Sequence, residues 1–426
     1  MRLEHYIEAF KGNKTLVNGV YFSIFAFLGR GISFVLLIIL ASYIPPSDYG
    51  KLSLFNTVVM VLGFFMAFST SSYFGISYFK ESKNTFRQDF TFIMLMLFLT
   101  TCILSLIIFL FGHRLSVLAG ITNGLLWLAL LIACVNVPFQ MHTDYYRLQE
   151  KVKMYGIMNL GNAILNALIS LLLVVTFAQG WMGRVNAHVG VSALFGLIAV
   201  FFFARHGFFD FNIKKERMKM ILFWGLPQIP HLATNWLRQG CDQYIINYHY
   251  TTQEVGLFSF ALNLVGIITM IGMAFNSSNS VTIFQILSDK SIEDKRMMLN
   301  KNARNIFVIY LSAAIVTIIL GTFFVPIVLP KYMGGIPYFT ILSVYGFMVC
   351  MYFLFCNYLF YYGYTRNLMF ITFGTSLLHL CLSFLLTRYS LYYTTMIYIV
   401  SQSLCVGLVY WYSRKILRKE LPNSQG

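Results

Sequence analysis

Long apolar runs separated by short polar breaks dominate the chain. Twelve runs stand at approximately 17–44, 52–78, 90–112, 116–141, 154–177, 185–204, 220–247, 256–286, 305–329, 336–362, 367–387 and 391–413. Each holds about 20 or more residues, enough for a helix to cross ~30 Å of hydrocarbon. Several are longer still, so those helices tilt or project beyond the bilayer. The pattern predicts an all-α polytopic membrane protein with 12 transmembrane helices. No break leaves room for a soluble catalytic domain on either face. The first run is too long, and lacks the small-residue cleavage site, of a signal peptide, and reads as a retained helix.

Composition agrees. The chain is 58% hydrophobic and 11% charged, against about 25% charged in soluble proteins. The net charge of +16 is spread over many short loops, which marks membrane topology rather than a nucleic-acid surface. Counted loop by loop, 24 Lys and Arg fall on one side of the twelve spans and five on the other. That bias puts both termini in the cytoplasm. All seven cysteines lie in apolar runs without a CxxC or a Cys/His cluster. They read as small buried hydrophobes, with neither disulfides nor metal.

An internal repeat is visible at an offset of 206 residues. Pro46-Ser47-Asp48-Tyr49-Gly50-Lys51-Leu52-Ser53-Leu54 follows run 1, and Thr252-Gln253-Glu254-Val255-Gly256-Leu257-Phe258-Ser259-Phe260 follows run 7. An acid, a Gly and a Ser recur in register (48/254, 50/256, 53/259). This predicts two six-helix halves in parallel orientation: an N-terminal bundle over 1–205, a cytoplasmic linker over 206–219 and a C-terminal bundle over 220–426.

Candidate chemistry lies in the few polar positions inside runs. Arg30, Arg238 and Asp242 are charged residues within apolar stretches. A charge at mid-membrane costs roughly 2.5–3.5 kcal/mol on insertion scales and so faces a wet or functional interior. Run 7 aligns His231, Asn235, Arg238 and Asp242 at i, i+4, i+7 and i+11, one narrow helical face. Pro227 and Pro230 precede that face and predict a kink or unwinding there. Run 5 aligns Asn159, Asn162, Asn166 and Ser170; run 11 aligns Thr372, Ser376, His379 and Ser383. Run 8 carries the polar stretch Asn276-Ser277-Ser278-Asn279-Ser280.

Each feature also has a structural explanation. Polar stripes hold membrane helices together by hydrogen bonds of roughly 0.6 kcal/mol, and for run 11 that is the preferred explanation. Arg238 and Asp242 can neutralise each other as an i, i+4 pair. His231 alone more often fills a polar core than carries a proton. Two arginines against one acid still leave net positive charge, which predicts a cavity for an anionic cargo. Enzyme motifs are absent: no GxSxG, P-loop or HExxH, and no paired intramembrane carboxylates.

Two stretches carry a family resemblance. Asn18 to Ser53, with Arg30 and the turn Ile44-Pro45-Pro46-Ser47-Asp48-Tyr49-Gly50, is one. Gly225-Leu226-Pro227 through Asn235-Trp236, Asp242, Tyr244-Ile245-Ile246, Val255-Gly256 and Ala274-Phe275-Asn276 is the other. Both resemble the polysaccharide-transporter, or O-antigen (Wzx-type) flippase, family of the multidrug/oligosaccharidyl-lipid/polysaccharide exporter superfamily. Gln243 departs from the family pattern, where a basic residue often follows the Asp. The two additional C-terminal helices of lipid II flippases are missing.

The resemblance implies two six-helix bundles around a central cavity. It also implies transfer of a polyprenyl-diphosphate-linked oligosaccharide from the cytoplasmic to the outer leaflet of a bacterial inner membrane. Implied partners are a polysaccharide polymerase, a chain-length regulator and a coupling ion, H+ or Na+; no cofactor or nucleic acid is implied. On this reading Arg30, Arg238, Asn159, Asn162, Asn166 and Asn235 line the cargo cavity. Asp242 and His231 serve ion or proton coupling, Asp242 by competing with cargo for Arg238. The alternatives are a multidrug or small-metabolite exporter of the same superfamily, a membrane polymerase or glycosyltransferase, and an envelope scaffold. An exporter of cations would place acids where this chain has arginine.

Overall fold

The computed structural model describes residues 14–288 and 294–420, and among them every regular element is helical. Arg2, Lys11 and Lys290 of the orientation count lie outside the described residues. In chain order the helices are α1 (Lys14–Tyr43), α2 (Pro46–Phe65), α3 (Phe74–Lys80), α4 (Lys83–Ala119), α5 (Asn123–Leu148), α6 (Val152–Leu171), α7 (Gly180–Arg205), α8 (Lys215–Gly225), α9 (Gln228–Gln239), α10 (Cys241–His249), α11 (Thr252–Ser288), α12 (Lys295–Val328), α13 (Ile336–Tyr361), α14 (Thr365–Leu386) and α15 (Leu391–Glu420). Eleven spans among the described residues are long and apolar enough to cross a membrane. The remaining run, 220–247, is helical in three short pieces, α8 to α10. Its first interruption falls at Leu226-Pro227, where the prolines predict it, and a second at Gly240.

The chain forms two compact units. The first comprises the described residues up to Ile44 together with Leu54–Ala233; the second comprises Pro45–Ser53 and the residues from Thr234 on. This differs from the boundary expected at 206–219. Residues 206–219 pack onto the first unit because their polar groups find partners there. The Thr91 hydroxyl accepts from the Asp210 backbone N–H at 2.8 Å. Phe208 is buried among Phe86, Phe90 and Phe203. Arg217 donates to Glu81 Oε1 at 2.8 Å and clasps Asp89, which is 1% exposed and also accepts from Ser77 Oγ at 2.6 Å. Burial by itself would lower the Arg217 pKa, but the two carboxylates raise it above its ordinary value.

Within the first unit, run 2 is broken rather than continuous. A tight 3-10 stretch, Met66–Tyr73, contains Ala67, Phe68 and Ser69 with φ of 52°, 48° and 56°. Left-handed non-glycine residues cost roughly 1–2 kcal/mol each. Hydroxyls of the Ser/Thr cluster satisfy the backbone groups this break frees. The Ala67 N–H donates to Thr100 Oγ1 at 3.0 Å, Ser69 Oγ to Phe64 O at 3.0 Å and Thr70 Oγ1 to Ala67 O at 2.6 Å. Broken helices persist in membranes where such partners exist.

In the second unit, α11 to α13 and α15 share a core of Ile268, Tyr310, Cys350, Leu354, Cys405 and Val409. The polar stretch of run 8 is partly consumed as packing. Asn276 accepts from Asn357 at 2.8 Å and Asn279 from Asn302 at 2.7 Å. Three cysteines are buried as expected, but Cys102 and Cys381 are exposed on outward helix faces, which an apolar solvent tolerates.

The repeat proves to be a contact between its own two copies. A Cβ on Gly50 would sit 2.0 Å from Thr252 O, and one on Gly256 1.8 Å from Pro46 O. Ser53 Oγ and Ser259 Oγ are 2.9 Å apart. The 206-residue offset maps Pro46 onto Thr252 and Gly50 onto Gly256, so the two glycine contacts are reciprocal, Ser53 meets its own counterpart, and α2 and α11 cross at a local two-fold axis. Only glycine allows backbones this close.

Candidate functional site

Arg238 lies near the end of α9 and is partly buried. Its guanidinium meets four oxygens on α14 and α15. Nε donates to Ser376 Oγ at 3.2 Å, Nη2 to Thr375 Oγ1 at 2.9 Å and to Thr372 O at 3.2 Å, and Nη1 to Gln402 Oε1. All four are neutral. The charge is therefore solvated by the protein but, among these partners, not cancelled.

Asp242 opens α10 and is wholly buried, at 0% exposure. Its Oδ2 lies 2.8 Å from His379 Nε2, and its Oδ1 accepts from the Ser383 hydroxyl. His379 Nδ1 in turn lies 2.9 Å from Ser401 Oγ, and the imidazole stands edge-on to the Tyr398 ring at 4.7 Å. A buried row of hydroxyls continues from Ser383 to Thr387 at 3.2 Å and Thr394 at 3.0 Å.

Direct pairing of Arg238 with Asp242 is therefore corrected. An i, i+4 pair needs a continuous helix, and the helix stops at Gly240 between them. Each residue instead meets a different turn of α14. The stripe read chiefly as packing, Thr372, Ser376, His379 and Ser383, receives both charges of run 7. The side chains of His231 and Asn235 lie outside the described residues.

The first unit holds the other expected residues. Arg30 is exposed on α1, and Asn159 packs its carboxamide against neighbouring Gly29, where an added Cβ would lie 2.6 Å from Oδ1. Asn162 is partly exposed. Asn166 accepts from Arg184 Nη1, which also reaches Ser170 Oγ at 2.9 Å. Arg184, which falls between the fifth and sixth apolar runs, lies inside α7. Gly180, with φ of 56°, starts that helix earlier than hydropathy indicates. The asparagine stripe thus contacts α1 through Asn159 and carries an arginine of its own at Asn166.

The chain matches the family described as polysaccharide biosynthesis protein over residues 16–284. It belongs to that family. Lsg locus putative protein 1 of Haemophilus influenzae is 26% identical over 156 residues, 36% of this chain and 38% of the relative. The match thus spans little more than a third of that relative's length. An inward-facing multidrug resistance MATE family transporter of the MOP superfamily superposes with a TM-score of 0.73 at 12% identity, covering 97% of this chain and 100% of that one. A MOP superfamily transporter from Pyrococcus furiosus, whose binding pocket is described as having reverse polarity, gives 0.63 at 12% identity over 96% and 97%. At such identity these likenesses establish the fold alone. This family member is a multi-pass, all-α membrane protein with the fold of MOP transporters.

His379, Ser383, Ser401, Gln402 and Arg184 are the partners that sequence reasoning passed over as functional. A signal existed for two of them. His379 and Ser383 sit four apart on one face, the same spacing as Arg238 and Asp242.

Proposed function

We propose that this protein is a flippase. In this reading it carries a polyprenyl-diphosphate-linked oligosaccharide repeat unit, for O-antigen, capsule or exopolysaccharide, from the cytoplasmic to the outer leaflet of a bacterial inner membrane by alternating access. Both termini are then cytoplasmic, and the protein transports rather than catalyses. One observation carries the reading beyond family membership. Arg238 is a permanent cation inside a membrane run, held open by neutral oxygens that can be exchanged for those of a diphosphate or acidic sugar. Arg30, Asn159, Asn162, Asn166 and Asn235 complete the cargo-binding set.

Asp242 is the coupling group in this reading, with His379 as its proton partner; His231 remains a second candidate. The surroundings suit either protonation state. A neutral imidazole donates from Nε2 to Asp242 and accepts at Nδ1 from Ser401. A protonated one donates to Ser401, whose hydroxyl then turns to Tyr398 O, 3.3 Å away. An exporter of small molecules remains the second reading, supported by the MATE fold of the neighbours.

The test is complementation of a strain lacking the gene, scoring surface polysaccharide and the leaflet that holds the lipid-linked unit. Wild type should restore both. Arg238→Ala at normal abundance should leave the unit facing the cytoplasm, and Arg238→Lys should recover only part of the activity because the fork geometry is lost. Surface polysaccharide that never depended on the gene would move the exporter reading ahead.

A further inference from the structure

A second basic feature lies in the second unit, apart from Arg238. The first turns of α12, the last turns of α15 and part of α13 enclose a cavity of about 680 Å³. Arg296, Asn300, Arg414, Lys415 and Arg418 line it, together with Tyr410 and Trp411. Among the described residues that line it there is no carboxylate. Arg414 and Lys415 are held in place by neutral groups. Arg414 donates from Nη1 to Asn300 Oδ1 at 3.2 Å and from Nε to Tyr410 OH at 3.1 Å. Lys415 stands over the Trp411 ring at 5.5 Å. Arg296 donates to Leu417 O at 3.4 Å.

The depth follows from length. About 20 helical residues cross the hydrocarbon, so a span starting at Leu391 leaves it near Trp411. Trp411 and Tyr410 are exposed, as interfacial aromatics are. Arg414, Lys415 and Arg418 then stand at the level of lipid phosphates. Basic pockets between membrane helices at that level hold phosphate headgroups.

We propose that this cavity is a binding site for the headgroup of an anionic phospholipid, phosphatidylglycerol or cardiolipin. The volume lies within the range that encloses small ligands and admits a headgroup with two phosphates. In this arrangement the headgroup enters the cavity and the tails stay in the bilayer. The site is independent of the cargo reading and stands whether or not that reading fails.

The experiment uses the purified full chain in mild detergent. Lipid adducts are counted by native mass spectrometry against added phosphatidylglycerol, cardiolipin, phosphatidylethanolamine and a polyprenyl diphosphate. Wild type should retain the two anionic phospholipids and not phosphatidylethanolamine. Arg414→Gln/Lys415→Gln/Arg418→Gln should weaken retention by about a hundredfold, taking about fivefold per basic group. Lys415→Gln/Arg418→Gln, both exposed, keeps the Arg414–Asn300 contact and should weaken it by about 25-fold. Lys301→Gln/Arg304→Gln, on α12 but outside the lining, should leave it unchanged. Equal retention by wild type and the lining variants overturns the proposal. So does equal loss in the Lys301/Arg304 control, which would mean diffuse attraction, or retention of polyprenyl diphosphate alone, which would mean a cargo site.

Discussion

Replacing His379 with alanine removes one of the hydrogen bonds that hold the Asp242 side chain in a completely buried position. The group is 0% exposed, and the Ser383 and Tyr398 hydroxyls are its other partners. Leaving a buried polar group short of a hydrogen-bond partner costs about 1–3 kcal/mol, and more where the group is charged. Asp242→Asn should cost less, about 1–2 kcal/mol, since a carboxamide oxygen still accepts from His379 or Ser383 and no charge is stranded. The double substitution should be no worse than His379→Ala alone, giving a coupling energy of about 1–2 kcal/mol. The natural cysteines supply the assay. Cys350, Cys356 and Cys405 are buried in the same unit and become reactive only when it unfolds. Thermal unfolding in detergent can be followed with a thiol-reactive fluorophore, in a Cys102→Ser/Cys381→Ser background that removes the two exposed thiols. Additive costs, with a coupling below about 0.5 kcal/mol, would refute the pair.

Three further outcomes are expected. Gly256→Ala drives a methyl into Pro46 O, a backbone atom that cannot turn aside, so monodisperse protein on size-exclusion chromatography should be lost; Gly266→Ala, with nothing within 4 Å, should be normal. His142→Phe should leave the melting temperature unchanged or raise stability by about 1 kcal/mol, because both ring nitrogens are buried without a partner among the described residues and the ring already stacks on Phe202 at 4.2 Å. Arg217→Ala strands the buried Asp89 and should cost about 3 kcal/mol or more in thermal unfolding, and Asp89→Asn in the same background should recover part of the loss.

The spans were legible because hydropathy and length suffice to define a membrane helix. Eleven appear as long helices, and the prolines of run 7 announce its first break. The break in run 2 was not legible, because no Pro or Gly marks it. Its warrant is the distant Thr100 hydroxyl, a tertiary partner that no local pattern shows. The same holds for the site. The stripe of run 7 presumes one continuous helix, and which acid meets which base depends on Gly240, which ends a helix and separates Arg238 from Asp242. Hydropathy puts the start of run 6 after Arg184, whereas Gly180 starts the helix before it.

The crossing of Pro46–Ser53 with Thr252–Ser259 has a consequence for how the chain can vary. Made by two identical chains, such a contact would be isologous, and any substitution would strike both halves at once. Carried twice within one chain, it lets the two halves vary separately. Asp48 binds Lys51 of its own helix at 2.9 Å, whereas Glu254 accepts from Tyr338 at 3.3 Å. The glycines and serines at the centre remain matched, while the acids at the edge have acquired different partners. The contact is therefore symmetric about its axis and asymmetric at its edge.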